Sequence, residues 1–228
     1  MSDSSDVRYA NPAPRWVFPV QVVITALILG WLPGNGLKLT AMLLVWTAGF
    51  RRISTREAWM LLGVNLLFAV MNTGALQKGI FRFLHPDALN MPMWEFFMWG
   101  FYTLNALRFI GGEPPRERRR LTLAVAVAFS IPFSTISDPF MLLLVSGVIL
   151  GVALFLFHEP DDLAFTAYLI AMGAVIEYVG VWSGQWTYPG GPIGGVPFWF
   201  ITMWGGVGLF TRRLLLPLVR PTRSTTGA

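Results

Sequence analysis

Apolar residues along this chain gather into long runs separated by short polar clusters. The runs fall at roughly 16–33, 37–50, 58–76, 92–110, 121–137, 139–157, 163–182 and 197–217. Runs of this length predict helices, and helices apolar on every side predict membrane spans. Several fall short of the ~20 residues that cross hydrocarbon comfortably; the second, Leu37 to Phe50, is the weakest. Pro33, Pro92, Pro139 and Pro197 punctuate the ends, where proline is tolerated as the first helical residue. The expectation is an all-α, polytopic transmembrane bundle of about eight helices, with six as the alternative.

Composition strengthens that picture. Of 228 residues, 54% are hydrophobic and 13% charged, whereas a soluble domain carries about a quarter charged residues. The absence of cysteine excludes structural disulfides and thiolate metal sites. His85 and His158 are the two histidines; neither belongs to an H-x-x-H pattern, so a histidine-rich metal centre is excluded. No metal and no cofactor is expected, and no phosphate-cradling glycine loop is present.

The net charge of +5 does not point to nucleic acid, because the basic residues flank apolar runs and read as orientation signals. With the N-terminus in the cytoplasm and eight crossings, only Lys38, Lys78 and Arg82 of the 17 Lys and Arg residues fall outside. That positive-inside bias predicts a multi-pass cell-membrane protein with both termini cytoplasmic. Losing one span would break the bias, while losing a pair would not. The first residues, MSDSSDVRYANPAPR, carry no apolar signal region, so the first crossing is expected to be retained.

The two halves align at a constant offset of 105 residues. Between 69–108 and 174–213 the identities are Ala69/Ala174, Val70/Val175, Gly79/Gly184, Pro92/Pro197 and Trp94/Trp199. Met98/Met203, Trp99/Trp204, Gly100/Gly205, Leu104/Leu209 and Arg108/Arg213 complete them. Chance would give roughly three at ordinary composition. Duplication with an even number of spans predicts two parallel four-helix repeats around a shared cavity. The expected organisation is a cytoplasmic tail (1–15), a first repeat (16–110), a cytoplasmic linker (111–120), a second repeat (121–217) and a cytoplasmic tail (218–228). The linker, GGEPPRERRR, reads as an orientation determinant or as a contact for anionic headgroups.

Ionisable residues inside apolar runs carry the chemistry, since each costs several kcal/mol to bury. Glu95 is expected about one turn inside the fourth helix, and Glu177 near the end of the seventh. Asn72 occupies the offset position of Glu177. Trp99 and Tyr102 share the helix face of Glu95. An apolar aromatic setting favours the uncharged acid, which can protonate an alkene while aromatic faces stabilise the carbocation. Glu95, Glu177 and Asn72 are therefore the candidate catalytic residues, against the alternative of interhelical hydrogen bonds. Trp94, Trp99 and Tyr102 are candidate substrate contacts from the first half. Trp182, Trp186, Trp199 and Trp204 are their counterparts from the second.

In Gly79-Ile-Phe-Arg-Phe83 and Gly184-Gln-Trp-Thr-Tyr188 a glycine lets the chain leave the helix. The alternating aromatics that follow suit lids over a cavity or interfacial anchors. His158, Glu159, Asp161 and Asp162 form an acidic turn, read as a solvated loop or a cation site. His85 and Asp87 are placed to help proton delivery, and Asp138 reads as an N-cap.

This repeated signature resembles the small integral membrane lycopene cyclase domains of carotenoid synthesis. Each half of those domains has a polar residue in a helix, a glycine with two alternating aromatics, and a helix opening with proline, any residue and two acids. Here the first half reads Asn72, Gly79-Ile-Phe-Arg-Phe83 and Pro92-Met-Trp-Glu-Phe-Phe97. The second reads Glu177, Gly184-Gln-Trp-Thr-Tyr188 and Pro197-Phe-Trp-Phe200. Trp94 stands where the family has its first acid and Glu95 keeps the second; Trp199 and Phe200 replace both in the second half. The resemblance implies an isomerase that cyclises or isomerises an apolar polyene without a redox cofactor. The departures leave open another isoprenoid substrate, a hydration, or a chain without catalysis. The alternative is a small parallel-repeat transporter or lipid-binding protein. The expected partners are a membrane lipid or apolar isoprenoid and no nucleic acid, with a second copy of the chain as an open option.

Overall fold

A computed structural model describes residues 13–116, 118–191 and 194–220. Parts of both expected tails, Glu117 of the linker, and Pro192 and Ile193 lie outside the described residues. The described residues form eight helices: α1 (Val17–Trp31), α2 (Asn35–Phe50), α3 (Thr55–Gln77), α4 (Glu95–Ile110), α5 (Arg119–Thr135), α6 (Pro139–Phe157), α7 (Pro160–Trp182) and α8 (Phe200–Phe210). Helix α8 continues through a π-helical turn, Thr211–Leu215, into a last short helix, α9 (Leu216–Val219). Two short strands, β1 (Arg82–Phe83) and β2 (Trp186–Thr187), pair antiparallel. Helices α3, α6 and α7 are long and apolar enough to cross a membrane, and α1 is a shorter apolar helix.

The 105-residue offset reappears in the geometry. Helices α3 and α7 have bounds that differ by that number, as do the starts of α4 and α8. In the sheet, Arg82 pairs with Thr187, the residue it aligns with. Both α3 and α7 end in a Schellman motif: Ile80 N donates to Ala75 O (3.1 Å) and Gln185 N to Gly180 O (2.8 Å). Gly79 and Gly184 make the exit possible, with φ of 68° and 71°.

Two helix starts differ in detail from expectation. Pro139 is the first residue of α6, and Asp138 caps it by accepting from Met141 N (2.7 Å). Pro92 and Pro197, by contrast, lie in turns ahead of α4 and α8, where their carbonyls accept from Glu95 N and Phe200 N. Glu95 is therefore the first residue of α4 rather than a turn inside it.

The acidic turn is neither a solvated loop nor a cation site. Asp162 is 1% exposed and accepts from Arg212 Nη1 (2.6 Å) and Arg213 Nε (3.0 Å). Glu159 accepts from Arg212 Nη2 (2.8 Å) and Arg213 Nη2 (2.9 Å). The two consecutive arginines sit on the π-helical turn, a local widening of the helix that is frequent where side chains must be re-aimed. At the offset positions Arg108 Nε grips Glu57 at 3.0 Å.

Buried polar groups lock one flank. Tyr168 OH donates to Asn105 Oδ1 (2.6 Å), and Asn105 Nδ2 donates to Phe18 O (2.9 Å). Gln21 Nε2 donates to the carbonyls of Val45 and Trp46. These bonds tie α1 to α2, α4 and α7. On the opposite flank α5 and α6 pack on α8, where the Ser146 and Thr202 hydroxyls meet at 2.6 Å. A cavity opens there between α3 and α5.

Burial alone would raise the Glu159 carboxyl, but the hydrogen bonds and charges of Arg212 and Arg213 outweigh it and hold it below its ordinary value of 4.5. Its stabilising contribution is present above about pH 4.5 and is lost as the pH falls through the lower folded value. Asp162→Ala, which removes the buried partner of two guanidinium groups and leaves them chiefly to Glu159, is expected to cost about 3 kcal/mol. Detergent unfolding as a function of pH checks both: midpoints fall on acidification, and the Asp162→Ala midpoint is low throughout.

Candidate functional site

Gly173, Glu177 and Gly180 share one face of α7. A side chain at Gly173 would overlap the indole of Trp204, and one at Gly180 the indole of Trp186. The two glycines let both rings lie against the helix on either side of the acid. Trp204 Nε1 donates to Glu177 Oε1 (3.1 Å), Trp186 Nε1 to Oε2 (3.0 Å), and Tyr188 OH to Oε2 (2.8 Å). Glu177 is 5% exposed, and an indole N–H can only donate. Both carboxyl oxygens thus act as acceptors.

Trp186 and Tyr188 reach Glu177 because alternate strand residues point to one face. The paired strands roof the cavity, which is the lid reading of the glycine–aromatic signature. Phe83 packs edge-on to Trp186 (6.0 Å), and Phe81 leans on Tyr188 (5.8 Å).

Glu95 is held differently. Asn72 Nδ2 donates to its Oε1 at 2.7 Å and Trp99 Nε1 donates to the same oxygen at 2.9 Å. Among the described residues no donor reaches Oε2. Trp99 and Trp204, which the offset relates, stack on each other with centroids 5.0 Å apart and planes 22° apart. Tyr102 stands edge-on to both, at 5.7 and 5.1 Å. Each indole of the stacked pair donates to one of the two acids.

The cavity beside this pair has a volume of about 740 Å³, within the ~300–1,000 Å³ of small-molecule sites. Asn72, Glu95 and Glu177 border it, as do Trp99, Tyr102, Trp186, Trp199 and Trp204. The structure thus brings together all three candidate catalytic residues and most candidate contacts.

Two expected contacts lie elsewhere. Trp94 is buried behind the strands, donating to Asn35 Oδ1 (3.1 Å) and packing on Phe83 and Trp186. Trp182 is 72% exposed and donates to Gly194 O (3.1 Å). Five residues beyond Glu177, it emerges on another side of the helix. His85 and Asp87 are exposed on the loop between β1 and α4; Asp87 Oδ2 accepts from Met93 N (2.9 Å), and neither residue borders the cavity.

Sequence reasoning missed two participants. Tyr188 donates directly to Glu177, and its alternation with Trp186 was the available signal. Phe68 stacks on Trp99 at 3.9 Å at the offset position of Gly173, and nothing in its surroundings marks it.

Gly180→Ala should push Trp186 off Glu177 and destabilise the protein by about 1–3 kcal/mol, the usual range for overpacking. Near-ultraviolet circular dichroism should lose tryptophan signal together with the lowered unfolding midpoint; an unchanged spectrum would contradict the packing role.

Comparison with protein-family models, with curated proteins and with solved structures finds no match to this chain.

Proposed function

We propose that the chain is a membrane enzyme of isoprenoid or carotenoid metabolism, which protonates a double bond of an apolar polyene and cyclises or isomerises it without change of oxidation level. The observation that carries the reading is the asymmetric binding of Glu95. Two donors occupy Oε1, and no donor among the described residues reaches Oε2, which supports a neutral Glu95 with its acidic proton on Oε2. That carboxyl borders a cavity lined mainly by apolar and aromatic side chains.

In the proposed step the Oε2–H bond breaks and a C–H bond forms at one alkene carbon, leaving a carbocation. The faces of Trp99, Tyr102 and Trp204 stabilise the cation. Glu177, its charge shared among three donors, adds a fixed negative charge nearby. A neighbouring C–H then loses its proton to the Glu95 carboxylate, and the acid is restored. Asn72 orients Glu95 throughout.

The same reading includes two parallel four-helix repeats, a multi-pass arrangement, and both termini in the cytoplasm. It is supported by the Arg82–Thr187 pairing, the Trp99–Trp204 stack and the matching contacts of Phe83 with Trp94 (5.8 Å) and Tyr188 with Trp199 (5.9 Å). A lipid-binding protein without catalysis is the second reading. It is favoured by tryptophan and phenylalanine at 94, 199 and 200, where the resembled family has acids.

Glu95→Gln should lower product formation by about 100-fold or more in cells that supply an acyclic polyene, the scale of one general acid, while Glu95→Asp retains part of it. In heavy water the product should acquire solvent deuterium. Full activity in Glu95→Gln would sink the assignment, and polyene retained without conversion by the wild-type protein would favour the second reading.

A further inference from the structure

The cavity borders the two acids at its inner end and lipid-facing residues at its outer end. Val70 and Met71 on α3, and Val127 and Ile131 on α5, line it and are themselves between 46% and 73% exposed. A mouth with so apolar a rim favours hydrocarbon over water. At one end of the gap Lys78 Nζ donates to Ser134 O (2.8 Å) and straps α3 to α5. The opening therefore lies along the sides of the helices, below that strap.

Among the described residues the other flank is closed. The offset relates the α3–α5 gap to the meeting of α7 and α1, and there the helices touch. A side chain on Gly30 of α1 would come within 3.2 Å of Val179 Cγ1 on α7. The hydrogen bonds of Tyr168, Asn105 and Gln21 hold that flank shut.

We infer that the cavity takes one end of a long polyene sideways from the bilayer through the α3–α5 gap, while the rest of the molecule stays in lipid. The inference rests on the enzymatic reading above and names how its substrate is held. A cavity of about 740 Å³ encloses a drug-sized body, which fits an end group and not an entire carotenoid-length chain. With a single mouth, the two ends of a symmetric polyene react in separate binding events, and a singly processed product is released first.

The chain has no cysteine, so a thiol placed in the mouth is unique. Ala126 lines the cavity from α5. Lycopene binding is measured by quenching of tryptophan fluorescence in lipid nanodiscs, in a Glu95→Gln background that separates binding from chemistry. Ala126→Cys should bind lycopene like its parent before modification, which verifies the fold. After reaction with a biphenyl maleimide its affinity should fall at least tenfold. The same adduct at Val148→Cys, on the lipid face of α6 and outside the cavity, should leave affinity unchanged. Undiminished binding after complete modification at Ala126→Cys would overturn the inference, as would equal loss at both sites. Binding that the Ala126→Cys adduct blocks, in a protein whose Glu95 form yields no product, would keep the portal and reject the enzymatic reading.

Discussion

A carboxyl group buried inside a helical bundle must be satisfied by protein, and the architecture around Glu177 follows from that constraint. Its three donors come from two parts of the fold: Trp186 on β2 with Tyr188 just after it, and Trp204 on α8. Each donor fixes the element that carries it. The strand must stay close to α7, so α7 must end in a tight glycine exit at Gly184. Helix α8 must lie against Gly173, which brings Trp204 onto Trp99 and so positions Glu95. An unsatisfied acid at this depth would cost several kcal/mol.

The two flanks divide the work of holding and admitting. Amide and hydroxyl groups of Gln21, Asn105 and Tyr168 make the α1 side a closed polar seam. The α5 side relies on Phe129, Phe133 and the Ser146–Thr202 contact, so it packs on α8 without closing on α3. One flank is thus closed by polar contacts, and the other stays open beside the same aromatic pair.

Much of this was legible in the sequence. Continuous apolar runs located every helix to within a few residues, because apolar continuity and helix length are both set by the span. The offset placed Asn72 and Glu177 at matching positions of α3 and α7, and Glu95 opposite Phe200 at the starts of α4 and α8. Side-chain direction was less legible. Trp182 and Trp186 look equivalent beside Glu177, yet one emerges from the helix away from the cavity and the other folds back on Gly180. The Glu159–Asp162 turn looked solvated because its arginine partners lie about fifty residues away. The signal was present in the offset, which maps the Glu57–Arg108 pair onto Asp162–Arg213.

The stacked indoles also bear on how the two halves differ. A strictly two-fold version would place acids at 72, 95, 177 and 200 around one aromatic pair. Like charges so close in a poorly polarisable interior repel strongly. Here each half carries one acid: asparagine stands at 72 beside Glu95, and phenylalanine at 200 opposite Glu177. Asn72 and Phe200 thus leave a single carboxyl group on each side of the Trp99–Trp204 stack, and an acid restored at either position would crowd two carboxyl groups against one pair of rings.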